Sequence, residues 1–200
     1  MYIYLMRHGQ TDWNLVHRMQ GRSDIPLNRT GLRQAREAAA AMEGLPIDRI
    51  LTSPLRRAKQ TAQAVAAGRG VPVLTEELLV EMSFGGLEGV EMNRRAECAV
   101  LFDHPEQYVP LPGGESYDEL LERGQTLLER VLKPLEGRYH DVLCCSHGAM
   151  IRGVVVGLKG YKREEFWKDP PQPNCSCTVL ECVNGRFSLV EEGRVYAPGK

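Results

Sequence analysis

Tyr2-Ile3-Tyr4-Leu5-Met6-Arg7-His8-Gly9 and Asp141-Val142-Leu143-Cys144-Cys145-Ser146-His147-Gly148 are the two stretches that decide the fold. Each is a short apolar run with no helical spacing, closed by a histidine and a glycine. Such a run reads as a strand buried on both faces, as in a parallel sheet covered by helices. In open α/β sheets the ligand site lies at the carboxyl ends of the strands. Both histidines therefore project toward one region, although 139 positions separate them. The following glycine allows the backbone to turn tightly there.

Outward from these runs, strands alternate with helices, which predicts a three-layer α/β/α domain with a mostly parallel central sheet. The first strand is expected over residues 2–6. Thr30 is read as the cap of a helix running to about Met42, with Leu32, Ala35, Ala39 and Met42 at helical spacing and Gly44 as its stop. Arg49–Thr52 reads as a strand, and Ser53-Pro54 as the opening of the next helix, with Leu55, Ala58, Ala62 and Val65 as its stripe. Val71–Leu74 is expected as a third strand and 92–102 as helical. The prolines and glycines of 103–115 predict a loop. Ser116 with Glu119 forms a capping box before a leucine-rich helix. Helix is expected over Ala149–Leu158, and a closing hairpin over 177–182 and 186–191 around Asn184-Gly185. All 200 residues are read as one domain, with about 91–115 as an insertion bordering the site.

Composition excludes several classes. Lys and Arg number 25 against 26 Asp and Glu, a formal net charge of −1, so no basic excess points to nucleic acid. Five apolar or aromatic residues before Arg7 are too few for a signal-peptide core, and no later run approaches a membrane span. A cytoplasmic location is expected; Cys144 and Cys145 are read as buried thiols, Cys175, Cys177 and Cys182 fall in an expected strand near the end, and a disulfide framework is not expected. Cys175-x-Cys177 lacks a second pair or a histidine at metal-site spacing, so no metal is expected.

The motifs go further as an ordered set. Arg7-His8-Gly9-Gln10-Thr11 with Asn14, Thr52-Ser53-Pro54-Leu55-Arg56-Arg57-Ala58, Glu81-Met82-x-Phe84-Gly85-x-Leu87-Glu88-Gly89, Pro112-Gly113-Gly114-Glu115-Ser116 and Ser146-His147-Gly148 follow one another over residues 3–155. The chain thus resembles the histidine phosphatase superfamily, the phosphoglycerate-mutase-like proteins. The resemblance implies that fold. It assigns catalytic roles to His8, Arg7, Arg57, His147 and Glu81, the arginine before Ala58 being preferred to Arg56. Gln20, Gly21 and Ser23 match the loop that brushes the substrate, and Gly148 stands where another branch carries an aspartate, which favours Glu81 as the acid.

Physical chemistry supports these roles. A phosphate monoester is a dianion, and arginine offers it a planar fork of donors. Arg7, Arg57 and a protonated or donor His147 would supply that charge without a metal or cofactor. Asn14 and the amides at Gly148 and Ala149, where a helix starts, would add neutral donors. A neutral His8 would attack phosphorus with one nitrogen while a carbonyl near Gly9 holds the other. The leaving alkoxide needs a proton, which Glu81 would give, though Glu76, Glu77, Glu88 and Glu91 crowd nearby. His17, His104 and His140 match no motif and are expected at the surface.

The expected activity is metal-independent hydrolysis of a small phosphorylated metabolite, such as a sugar phosphate, through a phosphohistidine. Two alternatives stand beside it: a cofactor-dependent phosphoglycerate mutase and a non-catalytic phosphate-binding regulatory protein. Only 66 positions separate Glu81 from His147, too few for the lid that the resemblance associates with mutases. Wall candidates are Gln20, Ser23, Ser83, Phe84, Tyr108 and the Pro170–Asn174 loop, with Trp167 at the edge, together neither strongly basic nor strongly apolar. The partner is a small phosphomonoester, with no nucleic acid and no membrane, and the chain is a monomer or homodimer.

Overall fold

The computed structural model describes residues 1–196. Six strands form one sheet in the order β3-β2-β4-β1-β5-β6. They are β1 (Tyr2–Arg7), β2 (Ile47–Thr52), β3 (Val73–Thr75), β4 (Asp141–Ser146), β5 (Ser176–Val183) and β6 (Arg186–Val195). The first four pair in parallel, β5 runs antiparallel to β1, and β6 antiparallel to β5.

The period-2 alternation of the strands divides the core in two. Ile3, Leu5, Val142, Cys144 and Leu180 enter one cluster, together with Leu120, Met150 and Val154 from α5 (Tyr117–Thr126) and α6 (Gly148–Lys159). Tyr4, Met6, Leu143, Cys145 and Val179 enter the other, against Ala35 and Ala38 of α2 (Arg29–Ala41) and Ala58, Ala62 and Val65 of α3 (Arg56–Ala66). This is the three-layer α/β/α arrangement. A short α1 (Asp12–Leu15) follows β1, and α4 (Ala96–Asp103) lies in the 91–115 stretch. Among the described residues no helix is long and apolar enough to cross a membrane.

Several boundaries differ from expectation, each for a local reason. Asn28, not Thr30, caps α2, its side chain accepting the Gly31 N–H at 2.8 Å. The helix after Ser53-Pro54 begins only at Arg56; Ser53 Oγ accepts the Leu55 N–H at 3.3 Å and also lies 2.7 Å from His147 Nε2. β3 lies at Val73–Thr75, two residues later at its start than expected. Residues 92–102 split into a single tight turn, Met92–Arg94, and α4. The capping box at Ser116 and Glu119 is present, and the leucine stripe of α5 continues through a wider π-type winding over Leu127–Leu132. The hairpin is longer than expected, and its turn residues Asn184 and Gly185 have φ of 52° and 70°, as a type I′ turn requires.

The register sets the site. Arg7 pairs with Ser146 and Thr52 with Cys145, so His8, Ser53 and His147 leave three adjacent strand ends at one level.

Candidate active site

His8 is buried, and its Nδ1 lies 2.7 Å from Gly9 O. A carbonyl only accepts, so Nδ1 carries the proton and Nε2 keeps its lone pair. Burial, then the charges of Arg57 and Arg7, push the ring well below the usual imidazole range, so it is neutral at pH 7. The backbone beyond it is fixed by close packing: a Cβ on Gly9 would stand 2.6 Å from Gly31 O, and the Gly9 N–H donates to Thr61 Oγ1 at 3.1 Å. The 172–175 segment secures the other side. Asn174 Nδ2 donates to His8 O at 3.0 Å and the Cys175 N–H to Arg7 O at 3.0 Å.

Two guanidinium groups, those of buried Arg57 and half-buried Arg7, flank this imidazole. Arg7 donates through Nη1 to Gln172 O, while its buried Nε has no partner and the side chain lines the cleft. Arg57 donates from Nη1 to Ser23 O and from Nη2 to Gly21 O, both at 2.7 Å, and from Nε to His147 Nδ1 at 3.2 Å. Burial lowers its pKa to about 10, which leaves it charged at neutral pH. Arg56, by contrast, is exposed.

His147 differs from expectation. Since Arg57 can only donate, Nδ1 accepts and Nε2 bears the proton, directed at Ser53 Oγ 2.7 Å away. Burial, reinforced by Arg57, drives its pKa well below the ordinary value. The ring is thus neutral, 5.2 Å from His8 between centroids, and both nitrogens are taken by protein. It orients Arg57 rather than adding a positive charge.

Glu81 closes the opposite side. Its Oε1 accepts the N–H groups of Met82 and Met150, each at 2.9 Å, and Oε2 that of Ala149 at 3.3 Å. The helix-start amides expected to hold phosphate are therefore occupied at Ala149 and Met150 by this carboxylate. Gly148 and Ala149 remain as wall.

The cleft encloses about 220 Å³. Asn14, Gln20 and Gly21 line it with the residues above, Asn14 holding its Oδ1 on the Thr11 N–H at 3.0 Å. Ser23 lies behind the wall, its carbonyl on Arg57 and its hydroxyl on Glu88 at 2.9 Å. Ser83 also lies behind, bonded to Gly113 O at 2.7 Å. Tyr108 is a correction: it is packed in the core against Tyr117, 5.4 Å between ring centroids, and does not line the cleft. Phe84, Trp167 and the 170–174 loop, through Pro171 and Gln172, do line it. So do Met19, Met92 and Phe102, which no motif marks and which make the wall more apolar than expected, and Arg18 and Arg152. Arg152 had a readable signal, the lone charge in an apolar run from Ala149 to Val156. His17, His104 and His140 are exposed. All six cysteines are free and buried, and among the described residues no group of three or more His, Cys, Asp or Glu could hold a metal ion.

Comparison with known proteins agrees with this geometry. An uncharacterised phosphatase of Bacillus subtilis, PhoE, is 35% identical over 158 residues, 79% of this chain and 77% of that protein. A probable phosphoglycerate mutase of Proteus mirabilis, GpmB, is 35% identical over 193 residues, 92% of this chain and 86% of its own length. The solved structure of Bacillus stearothermophilus YhfR superposes with a TM-score of 0.89 at 30% identity, covering 97% of each chain. The family model of the histidine phosphatase superfamily, branch 1, matches residues 3–194, and the chain belongs to that family.

Proposed function

We propose that the protein is a metal-independent phosphomonoesterase that works through a phosphohistidine at His8. The observation that carries this reading is the fixed tautomer of a neutral His8, with Nε2 unengaged beside the unpartnered Nε of Arg7. Arg7 and Arg57 bring two positive charges to a dianionic phosphate, and phosphoryl transfer needs chiefly such positioning and charge stabilisation. In the first step Nε2 of His8 forms a bond to phosphorus as the bond to the alcohol oxygen breaks. Glu81 gives that oxygen its proton, from Oε2, which has the single longer contact of 3.3 Å. In the second step water attacks phosphorus, Glu81 takes its proton, and the phosphorus–nitrogen bond breaks. Asn14 and Gln20 add neutral polar groups at the wall.

A mutase is the second reading, and the Proteus relative is the observation that favours it. This chain covers 86% of that relative, so chain length does not separate the two activities.

The test is labelling with a ³²P-monoester followed by rapid quench. Acid-labile, base-stable label is expected on His8, and His8→Ala should lose activity by several orders of magnitude while keeping the native circular-dichroism spectrum. Label on a cysteine or serine overturns the mechanism.

A further inference from the structure

We propose that the alcohol accepted by this cleft is uncharged and carries an apolar or aromatic body, which packs on Trp167 and Phe102. The inference rests on the phosphomonoesterase reading and adds the substrate class. Beyond the arginines, His8, Glu81 and the side-chain amides of Asn14, Gln20 and Gln172, the larger side chains of the wall are Met19, Phe84, Met92, Phe102, Trp167 and Pro171.

The aromatic part of this wall is fixed in advance. Trp167 Nε1 points away into the protein, donating to Leu101 O at 3.0 Å and the Tyr117 hydroxyl at 2.7 Å. Its ring packs against Phe102 and Phe166, with centroids 5.0 and 4.9 Å apart. With the indole N–H spent there, what Trp167 offers the cleft is its carbon face. An aromatic surface held in place by two hydrogen bonds binds a flat or aliphatic group without first being ordered.

Charge points the same way. Apart from Arg7 and Arg57, the cations at the cleft are Arg152 and Arg18. Arg152 is 2% exposed and both its Nη atoms are engaged: Nη1 meets Asp169 at 3.3 Å and Glu192 at 3.0 Å, and Nη2 donates to Asp169 O and Pro170 O at 2.8 and 2.7 Å. Lys159 also bonds Asp169 and Glu192, so two cations face two carboxylates and the cluster has no net charge to offer. Arg18 stands at the exposed rim, 42% accessible, and shares Glu91 with Arg94, at 3.4 and 2.6 Å. In the buried part of this wall, behind the exposed Arg18, a substrate carboxylate would lose its hydration without gaining an uncommitted cation, which is unfavourable.

The experiment compares kcat/KM for 2-phenylethyl phosphate, ethyl phosphate and O-phosphoserine. All three leave as unactivated alcohols, so the ratios read the wall rather than leaving ability. The phenylethyl ester is expected to exceed ethyl phosphate by about 10- to 100-fold, the range for an added apolar group that is buried. Phosphoserine is expected to show no advantage over ethyl phosphate. Trp167→Ala, and separately Phe102→Leu, should bring the phenylethyl-to-ethyl ratio close to one, and the second variant decides if the first does not fold. A preference for phosphoserine, or a ratio unchanged in the folded variants, overturns the inference. Phosphate release from any of the three esters leaves the hydrolase reading intact, whereas release from none, with no label on His8, overturns that reading as well.

Discussion

His8 and His147 sit side by side as neutral rings beneath two guanidinium groups, and their titration is linked to stability. Both have folded-state pKa values below the unfolded value of about 6.5. Below that pH the unfolded chain binds protons that the folded rings refuse. Stability is therefore unaffected by these rings above about pH 6.5 and falls as pH drops below it, by up to about 1.4 kcal/mol per pH unit for each ring. Urea unfolding of wild type and His8→Gln between pH 6.5 and 5.5 checks this: the variant should have the shallower slope, and equal slopes would contradict the buried neutral state. Glu81 makes a second, kinetic prediction. Glu81→Gln keeps the shape but can neither give nor take the proton, so turnover of alkyl phosphates should fall by about 10²- to 10⁴-fold. An aryl phosphate, which leaves without help, should lose less in the labelling step; equal losses in quenched-flow labelling would assign Glu81 to binding. The histidines were legible because strand ends mark them, whereas Glu81 stood out from Glu76, Glu77, Glu88 and Glu91 only through the family resemblance. The Ser53 contact was not, since Ser53 before Pro54 reads equally well as a helix cap until β2 and β4 are seen side by side.

At the scale of elements, the loop over 20–23 matters through its backbone. Its carbonyls at Gly21 and Ser23 hold Arg57, and Glu88 holds the loop. Glu88 Oε1 accepts the N–H groups of Arg22 at 2.9 Å and Phe84 at 3.2 Å, and Oε2 accepts the Ser23 hydroxyl at 2.9 Å. Gly21 makes room for this with φ of +50°, and a Cβ there would fall 2.2 Å from Glu88 Oε1. From sequence Glu88 was one acidic residue among several, because nothing in a linear motif tells that a carboxylate reaches back 65 positions to a serine. Glu88→Ala should lower kcat/KM by about 10²-fold, as expected when a phosphate-holding group is displaced by about 1 Å. The loss should appear mainly in KM and in weaker inhibition by inorganic phosphate, with labelling of His8 still detectable. Unchanged phosphate inhibition would leave Glu88 with no role in placing Arg57. The helices were read well where capping is local, as at Ser116 and Glu119, and less well at α2, where Asn28 competes with Thr30 two residues on.

The whole molecule bears on the choice between hydrolase and mutase. Layering and strand direction followed from the apolar runs. The cleft wall followed only in part: Gln20, Phe84, Trp167 and the 170–174 loop were expected there, whereas Met92 and Phe102 come from the irregular 91–115 stretch, where Tyr108 turns inward instead. The resulting cleft is roofed on one side by Met92 and Phe102, with Arg18 and Glu91 paired at a partly exposed position beside it. A mutase must keep water from the phosphohistidine until a second hydroxyl collects the phosphoryl group. Here Glu81, the proposed base for a water, lines the same cleft as His8. Hydrolysis should therefore outrun return of the phosphoryl group. With 3-phosphoglycerate and catalytic 2,3-bisphosphoglycerate, product analysis over time should detect negligible interconversion. Phosphate release from the preferred monoester should proceed at the same rate without the bisphosphate and in excess chelator, because Arg7 and Arg57 supply the charge. Rapid interconversion that requires the bisphosphate and yields little free phosphate would establish the mutase, and would mean that the 91–115 stretch closes over the cleft during turnover.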